Sequence, residues 1–136
     1  MSECIFCDII HGKIPCAKVY ETKNTLAFLD IAPVNKGHTL VIPKKHYPTL
    51  FDLPSELGKE LLEVMQKVGE ALRKTVQAEG INLGMNNFKP AGQLVFHAHF
   101  HIIPRYENDG LSLWPQKKYN NNDEMLALAQ KLANNI

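Results

Sequence analysis

His97, His99 and His101 alternate with Ala98, Phe100 and Ile102. On a strand, successive side chains point to opposite faces, so the spacing predicts three imidazoles on one face and apolar residues on the other. Same-face neighbours lie about 6–7 Å apart, and three titratable rings are costly to bury without partners. Three chemistries fit such a row. Backbone carbonyls can satisfy all three rings. Two rings with a further ligand can hold a catalytic metal, as in zinc hydrolases. Or one ring attacks an electrophile while its neighbours hold the substrate. Upstream residues favour the last. Ala91-Gly92-Gln93 can bring backbone amides close to an anion. Asn86 and Gln93 are neutral polar groups able to orient a phosphate or a leaving group. No acidic residue lies between Asn82 and Arg105, so the carboxylate base that a hydrolytic zinc site uses is not local.

A second set of reactive residues stands at the start of the chain. Cys4 and Cys7 form a Cys-x-x-Cys pair. Redox chemistry would need a thioredoxin-like strand–helix context, which is missing. Two buried thiols are one alternative, and half of a tetrahedral zinc site is another. Such a site needs two histidines, and the chain has six. Cys16, beside Pro15, reads as a half-buried thiol. His11 and His38 have no evident partner. Asp30 stands before a Pro-containing loop and reads on its own as a turn residue. Phe6, Ile9 and Phe28 read equally well as core.

Elements that would position these residues follow from the hydrophobic pattern. Residues 5–12 predict a short helix stopped by Gly12. Val19–Glu21 and Thr25–Asp30 predict strands joined at Lys23-Asn24, and residues 38–42 a strand ended by Pro43. Residues 55–78 predict the longest helix, with Leu57, Leu61, Met65, Val68, Leu72 and Val76 in one stripe. Strands are expected over 81–85 and 94–103. A C-terminal helix is expected over 123–132, capped by Asn122, with Leu126, Ala129 and Leu132 facing inward. Strands in succession, one long helix and strands again predict an α+β fold with an antiparallel sheet.

The 136 residues suit one domain. At 45% hydrophobic and 21% charged, the composition excludes disordered and low-complexity classes. A net charge of +1 offers nothing to nucleic acid or a membrane surface. No apolar run approaches the roughly 20 residues of a membrane span. The start, Met1-Ser2-Glu3-Cys4, does not read as a signal peptide. Three cysteines without an export signal predict a reducing, cytoplasmic setting.

His97-Ala98-His99-Phe100-His101-Ile102-Ile103 fits the motif of the histidine triad (HIT) family at every position, and the resemblance extends over much of the chain. Cys4 to Ile10, Leu26 to Ile31, Gly37 to His46 and Gly92-Gln93 before the triad all resemble family blocks. The chain is similar to the small purine-nucleotide-binding, phosphoramidase-type, bacterial-style members. The resemblance implies one HIT domain over residues 1–136, with motif blocks over 4–105 and an extension over 106–136. It implies a sheet of about five strands with one long and one C-terminal helix.

The implied activity cleaves the α-phosphate bond of nucleoside phosphoramidates or related nucleotidyl conjugates. His99 would attack phosphorus to form a nucleotidyl-histidine, and water would release the nucleoside monophosphate. Imidazole suits this role, since its ordinary pKa of about 6.5 leaves it neutral near pH 7. His101 would donate to the phosphate, with Gln93 and Asn86 as further donors. Asp30 would accept from the ribose, and Phe6, Ile9 and Phe28 would wall the base. The resemblance also implies one structural zinc on Cys4, Cys7, His46 and His97, and no organic cofactor. Two protomers would pair at the long helix and its neighbouring strand, with Trp114 a possible anchor. Dinucleoside polyphosphate hydrolysis and non-catalytic purine-nucleotide binding are the alternatives. One position departs: Leu94 stands where the family carries a small hydroxyl or polar residue facing the phosphate or leaving group.

Overall fold

The computed structural model describes residues 3–136; Met1 and Ser2, part of the start read as no signal peptide, lie outside. Its elements are α1 (Ile5–Ile10), β1 (Lys18–Glu21), β2 (Thr25–Leu29), β3 (Thr39–Pro43), α2 (Gly58–Thr75), β4 (Gly80–Gly84), β5 (Phe100–Arg105) and α3 (Asn122–Ala133). The strands form one five-stranded sheet in the order β1-β2-β3-β5-β4, with every pairing antiparallel. The α+β reading therefore holds.

Each face of the sheet carries its own core. Ala27, Val41 and Ile102 pack against Leu61, Val64, Val68 and Leu72 of α2. These helix positions recur at three- and four-residue spacing, which turns one apolar stripe inward. Burying each such side chain contributes about 1.5–3 kcal/mol. Leu26, Phe28, Leu40 and Ile42 alternate with the first set and pack against Phe6 of α1. His101 pairs with Leu40 across β3 and β5, so it lies on the α1 face.

Some boundaries differ from expectation. The helix expected over 55–78 begins as a 3-10 turn at Ser55–Leu57 and ends at Thr75. The chain then leaves helical geometry, with Gln77 at φ +51°. Val64 joins the buried stripe, whereas Leu62 is exposed. The strand expected over 94–103 begins only at Phe100. The cap of α3 is Asn121, which accepts from the Glu124 N–H. Leu126, Ala129 and Leu132 do not face inward: every residue from Gly110 to Ile136 is exposed. Among the described residues, no helix is long and apolar enough to cross a membrane.

Candidate active site and metal centre

α1 and the end of β3 build the first cluster. Cys4 caps α1, and its sulfur accepts from the Cys7 N–H at 3.4 Å. His97 is fully buried, and its Nε2 lies 2.8 Å from the Pro43 carbonyl. A carbonyl only accepts, so Nε2 carries the proton and Nδ1 presents a lone pair. That lone pair faces Cys4 Sγ at 3.4 Å, Cys7 Sγ at 3.6 Å and His46 Nδ1 at 3.2 Å. Cys7 Sγ lies 3.4 Å from His46 Nδ1. All four donor atoms fall within 4.8 Å of one another. Tetrahedral zinc bonds of about 2.3 Å to sulfur and 2.0–2.1 Å to nitrogen place neighbouring ligands roughly 3.3–3.8 Å apart. The donor set therefore fits one tetrahedral cation, and the residues expected at such a site are the ones assembled. Burial pushes the His97 imidazole below its usual pKa despite the Pro43 hydrogen bond, which suits a neutral ligand.

The same buried His97 positions His99. The Nδ1 of His99 lies 2.7 Å from the His97 carbonyl and must donate to it. Its Nε2 is thereby left as a lone pair. Phe6 meets the His99 ring edge-on at 5.1 Å, meets His97 at 5.8 Å and packs on Phe28 at 5.6 Å. Phe6, with half-buried Ile9 packed against the same cluster, is core and touches the His99 ring directly.

His38, unpartnered in the sequence reading, completes the row. Its Nδ1 accepts from the Val34 N–H at 3.1 Å, so Nε2–H points at His101 Nδ1, 2.9 Å away. His101 accepts there and carries its own proton on Nε2. That atom is buried with no partner among the described residues. Burial, then the neighbouring His99 and His38, push His101 down to about 4. It is neutral at pH 7, with one N–H donor aimed at whatever enters. Asp30 accepts from the Ala32 N–H at 2.9 Å and stands 3.7 Å from His38 Nε2. It makes the turn and borders the site at once.

The remaining expected residues divide. Asn86 lines a cavity of about 590 Å³ with His38 and His101. Its amide nitrogen sits 3.3 Å from where a side chain at Gly92 would begin, and Gly92 has φ +96°. The positive φ favours glycine there, and a Cβ would press on the Asn86 amide. Gln93 departs from its expected role as a donor to substrate. Its side chain is 2% exposed and turned inward. Its amide N–H groups reach Pro48 O and Val95 O, and its oxygen accepts from the Phe88 N–H. Gln93 braces the loop instead. Leu94 is 88% exposed and lines a second cavity with Cys4, Cys7 and His46.

The buried imidazoles make stability pH-dependent. Burial, the largest cause for both, lowers the folded pKa of His38 and His101 below the ordinary value of about 6.5. The unfolded chain then binds protons first as pH falls. The contribution is complete above about 6.5 and is lost as pH drops towards about 4. Urea midpoints should fall across that window, and His101→Asn should flatten the slope. Parallel slopes for wild type and variant would contradict this.

The structure thus joins an open antiparallel sheet, a histidine row and a Cys/His cluster in one domain. A HIT domain model matches residues 11–108, and the chain belongs to the HIT family. It is 43% identical over 135 residues to the adenosine 5'-monophosphoramidase hnt1 of Schizosaccharomyces pombe, covering 98% of each chain. A crystal structure of a HIT family protein from Bacillus subtilis is 42% identical, with a TM-score of 0.92 over 99% of this chain and 98% of that one. A zinc-bound histidine triad family protein from Mycobacterium smegmatis is 39% identical, with a TM-score of 0.77 over 96% of both chains.

Proposed function

We propose that this chain hydrolyses nucleoside phosphoramidates or related nucleotidyl conjugates through a nucleotidyl-histidine on His99. One observation carries the reading. The His99 Nδ1–H is committed to the His97 carbonyl, which leaves Nε2 nucleophilic beside the unpartnered Nε2–H of His101. Nε2 attacks the α-phosphorus, a P–Nε2 bond forms, and the bond to the leaving group breaks. The leaving amine or oxygen takes its proton from solvent, and the water that attacks later returns one to solvent. Water then attacks the same phosphorus, the P–Nε2 bond breaks, and nucleoside monophosphate leaves. His101 donates to the phosphate oxygen throughout, and His38 holds it in the donating tautomer. Asn86 supplies a further donor, Gln93 keeps the loop in place, and Phe6, Ile9, Phe28 and Asp30 hold the nucleoside. The monophosphoramidase named above supports this choice of substrate.

Cys4, Cys7, His46 and His97 hold one structural zinc per chain in this reading. The zinc-bound relative supports the choice of metal. Four protein ligands leave no open position, so the metal clamps α1 to the triad and takes no chemical step. The chain works as one HIT domain, over 4–105 with an extension over 106–136, and as a cytoplasmic homodimer. The exposed edge strand β4, with Leu83 55% exposed, supports the pairing.

Turnover of a fluorogenic adenosine phosphoramidate tests the reaction. Release of the fluorescent amine with one equivalent of AMP is expected without added divalent metal. Nucleotide binding without turnover would favour a binding module, and turnover confined to dinucleoside polyphosphates would favour the other hydrolase. Leu94→Ser is expected to raise kcat about tenfold, the order of one added hydrogen bond to a charged group. An unchanged or lower kcat would remove the phosphate contact assigned to that position.

A further inference from the structure

We propose that the exposed stacked pair Phe51–Phe88 is a platform for the leaving group: it accepts a planar aromatic ring carried by the part of the substrate that departs from phosphorus. This deepens the hydrolase reading above and rests on it for the identity of that part.

Phe88 stands where a phenylalanine is costly. Its backbone has φ 70° and ψ 158°, a region that residues with a Cβ avoid and glycine fills readily. Such a conformation persists only where the surroundings impose it. Here they do. The buried Gln93 Oε1 accepts from the Phe88 N–H at 2.8 Å. The Phe88 carbonyl accepts from the Ala91 N–H at 3.1 Å and from the Gln93 N–H at 3.2 Å. Asn87 Oδ1 accepts from the Leu50 N–H at 2.8 Å, and Gln93 Nε2 donates to Pro48 O at 2.7 Å. These bonds fix the backbone at residue 88 and tie its loop to residues 48–50. None of them uses the ring.

The ring is turned to solvent instead. Phe88 is 51% exposed and Phe51 74%, and neither belongs to the two cores. Their centroids lie 5.8 Å apart and their planes differ by 12°, an offset stack whose exposed faces suit a third ring. Phe51 is held as firmly as Phe88. It sits on the 3-10 turn Leu50–Asp52. Thr49 Oγ1 accepts from the Phe51 N–H at 3.2 Å, and Asp52 accepts from the Thr49 N–H at 2.9 Å. Rings presented on pinned backbone lose little freedom when a ligand stacks on them.

The occupant follows from where the platform stands. Asn86, the phosphate donor of the reading above, lines the cavity of His101. Phe88 follows Asn86 by two residues, a span of no more than about 7 Å. A phosphate held by Asn86 therefore brings its substituent beside the loop that carries the platform. The nucleoside contacts proposed above come from α1 and β2, whereas the platform comes from the segments after β3 and β4. The two ring sites belong to different parts of the fold, which leaves the platform to the departing group. A protein partner suits it less. Aromatic side chains bury about 150–250 Å² each, so two fall short of the roughly 800 Å² that each partner gives to a stable interface. One planar ring matches the pair in size. An aryl amine and a second nucleobase both supply such a ring.

The test uses full-length wild type, Phe51→Ala and Phe88→Gly. Adenosine phosphoramidates of phenethylamine and of butylamine are compared by turnover, and diadenosine tetraphosphate is compared with ATP by calorimetry. A stack on an aromatic side chain is worth about tenfold in affinity. Wild type should prefer the ring-bearing member of a pair by about that factor, and each variant should bring the ratio close to one. In turnover the loss should fall on KM rather than kcat, because a stack away from the reacting atoms holds substrate and transition state alike. Phe88→Gly should lose the preference without a lower Tm, since glycine suits that backbone. A preference within the phosphoramidates identifies an aryl amine, and one within the polyphosphates a second nucleobase. No ring preference in either pair, or a preference that survives in either folded variant, would overturn the proposal. So would a light-scattering mass that halves in Phe51→Ala, which would make the pair an interface between copies. Calorimetry with the phosphoramidates separates the two readings. Ring-dependent affinity without turnover would keep the platform and remove the hydrolase. Turnover blind to the ring would do the reverse.

Discussion

Replacing His99 by asparagine is expected to lower kcat by roughly four to six orders of magnitude, the scale seen when a covalent nucleophile is removed. Asparagine keeps a polar group near the His97 carbonyl but presents no imidazole lone pair to phosphorus. The nucleoside contacts proposed for Phe6, Phe28 and Asp30 do not depend on that atom. Nucleotide affinity, measured by calorimetry, should therefore change by less than about tenfold. A variant that retains wild-type turnover would remove His99 from the role. A variant that loses binding in step with rate would make His99 a binding residue. His38→Phe should act more mildly. It deprives His101 Nδ1 of its donor at 2.9 Å and so leaves the tautomer of His101 undetermined.

Cys7→Ser is expected to release the metal and to cost about 3 kcal/mol or more of stability, since structural zinc contributes folding energy directly. For a domain of this size that is a fall in Tm on the order of 10 °C. The cluster ties together the start of α1, the segment after β3 and the residue that opens the triad. Its loss frees Phe6 from the His99 ring, which it meets at 5.1 Å. Elemental analysis of wild type purified without added metal should show close to one zinc per chain, and the variant much less. Zinc-free wild type with an unchanged Tm after chelation would contradict the structural role.

The body of the fold was largely legible because its periodicities are long and consistent. Leu61, Val68 and Leu72 fall on the expected stripe of α2, and alternation in β2 and β3 separates the two cores. The same alternation misled at residues 94–99. There the chain is pinned by individual bonds rather than by a ladder. The Ala98 N–H donates to Tyr47 O, and the His97 carbonyl accepts from the His99 ring. His97 is engaged in the Cys/His cluster, while the His99 ring is held by the His97 carbonyl. Gln93 was read as a neutral polar group able to orient a phosphate; the three backbone groups that engage it lie in the tertiary structure. His38 was invisible for a similar reason, since its partner is 63 residues away. The helix α3 was legible, but the inward face expected of Leu126, Ala129 and Leu132 is exposed.

The reaction route stands or falls on one covalent bond. Rapid acid-free quenching of the chain with an adenosine phosphoramidate, followed by peptide mass spectrometry, should show an adenylyl group on the peptide that carries His97, His99 and His101. Fragmentation should place it on His99, and water should discharge it as AMP at the rate of turnover. An adduct on His101 or Cys7, or full turnover with no adduct at any quench time, would contradict the account.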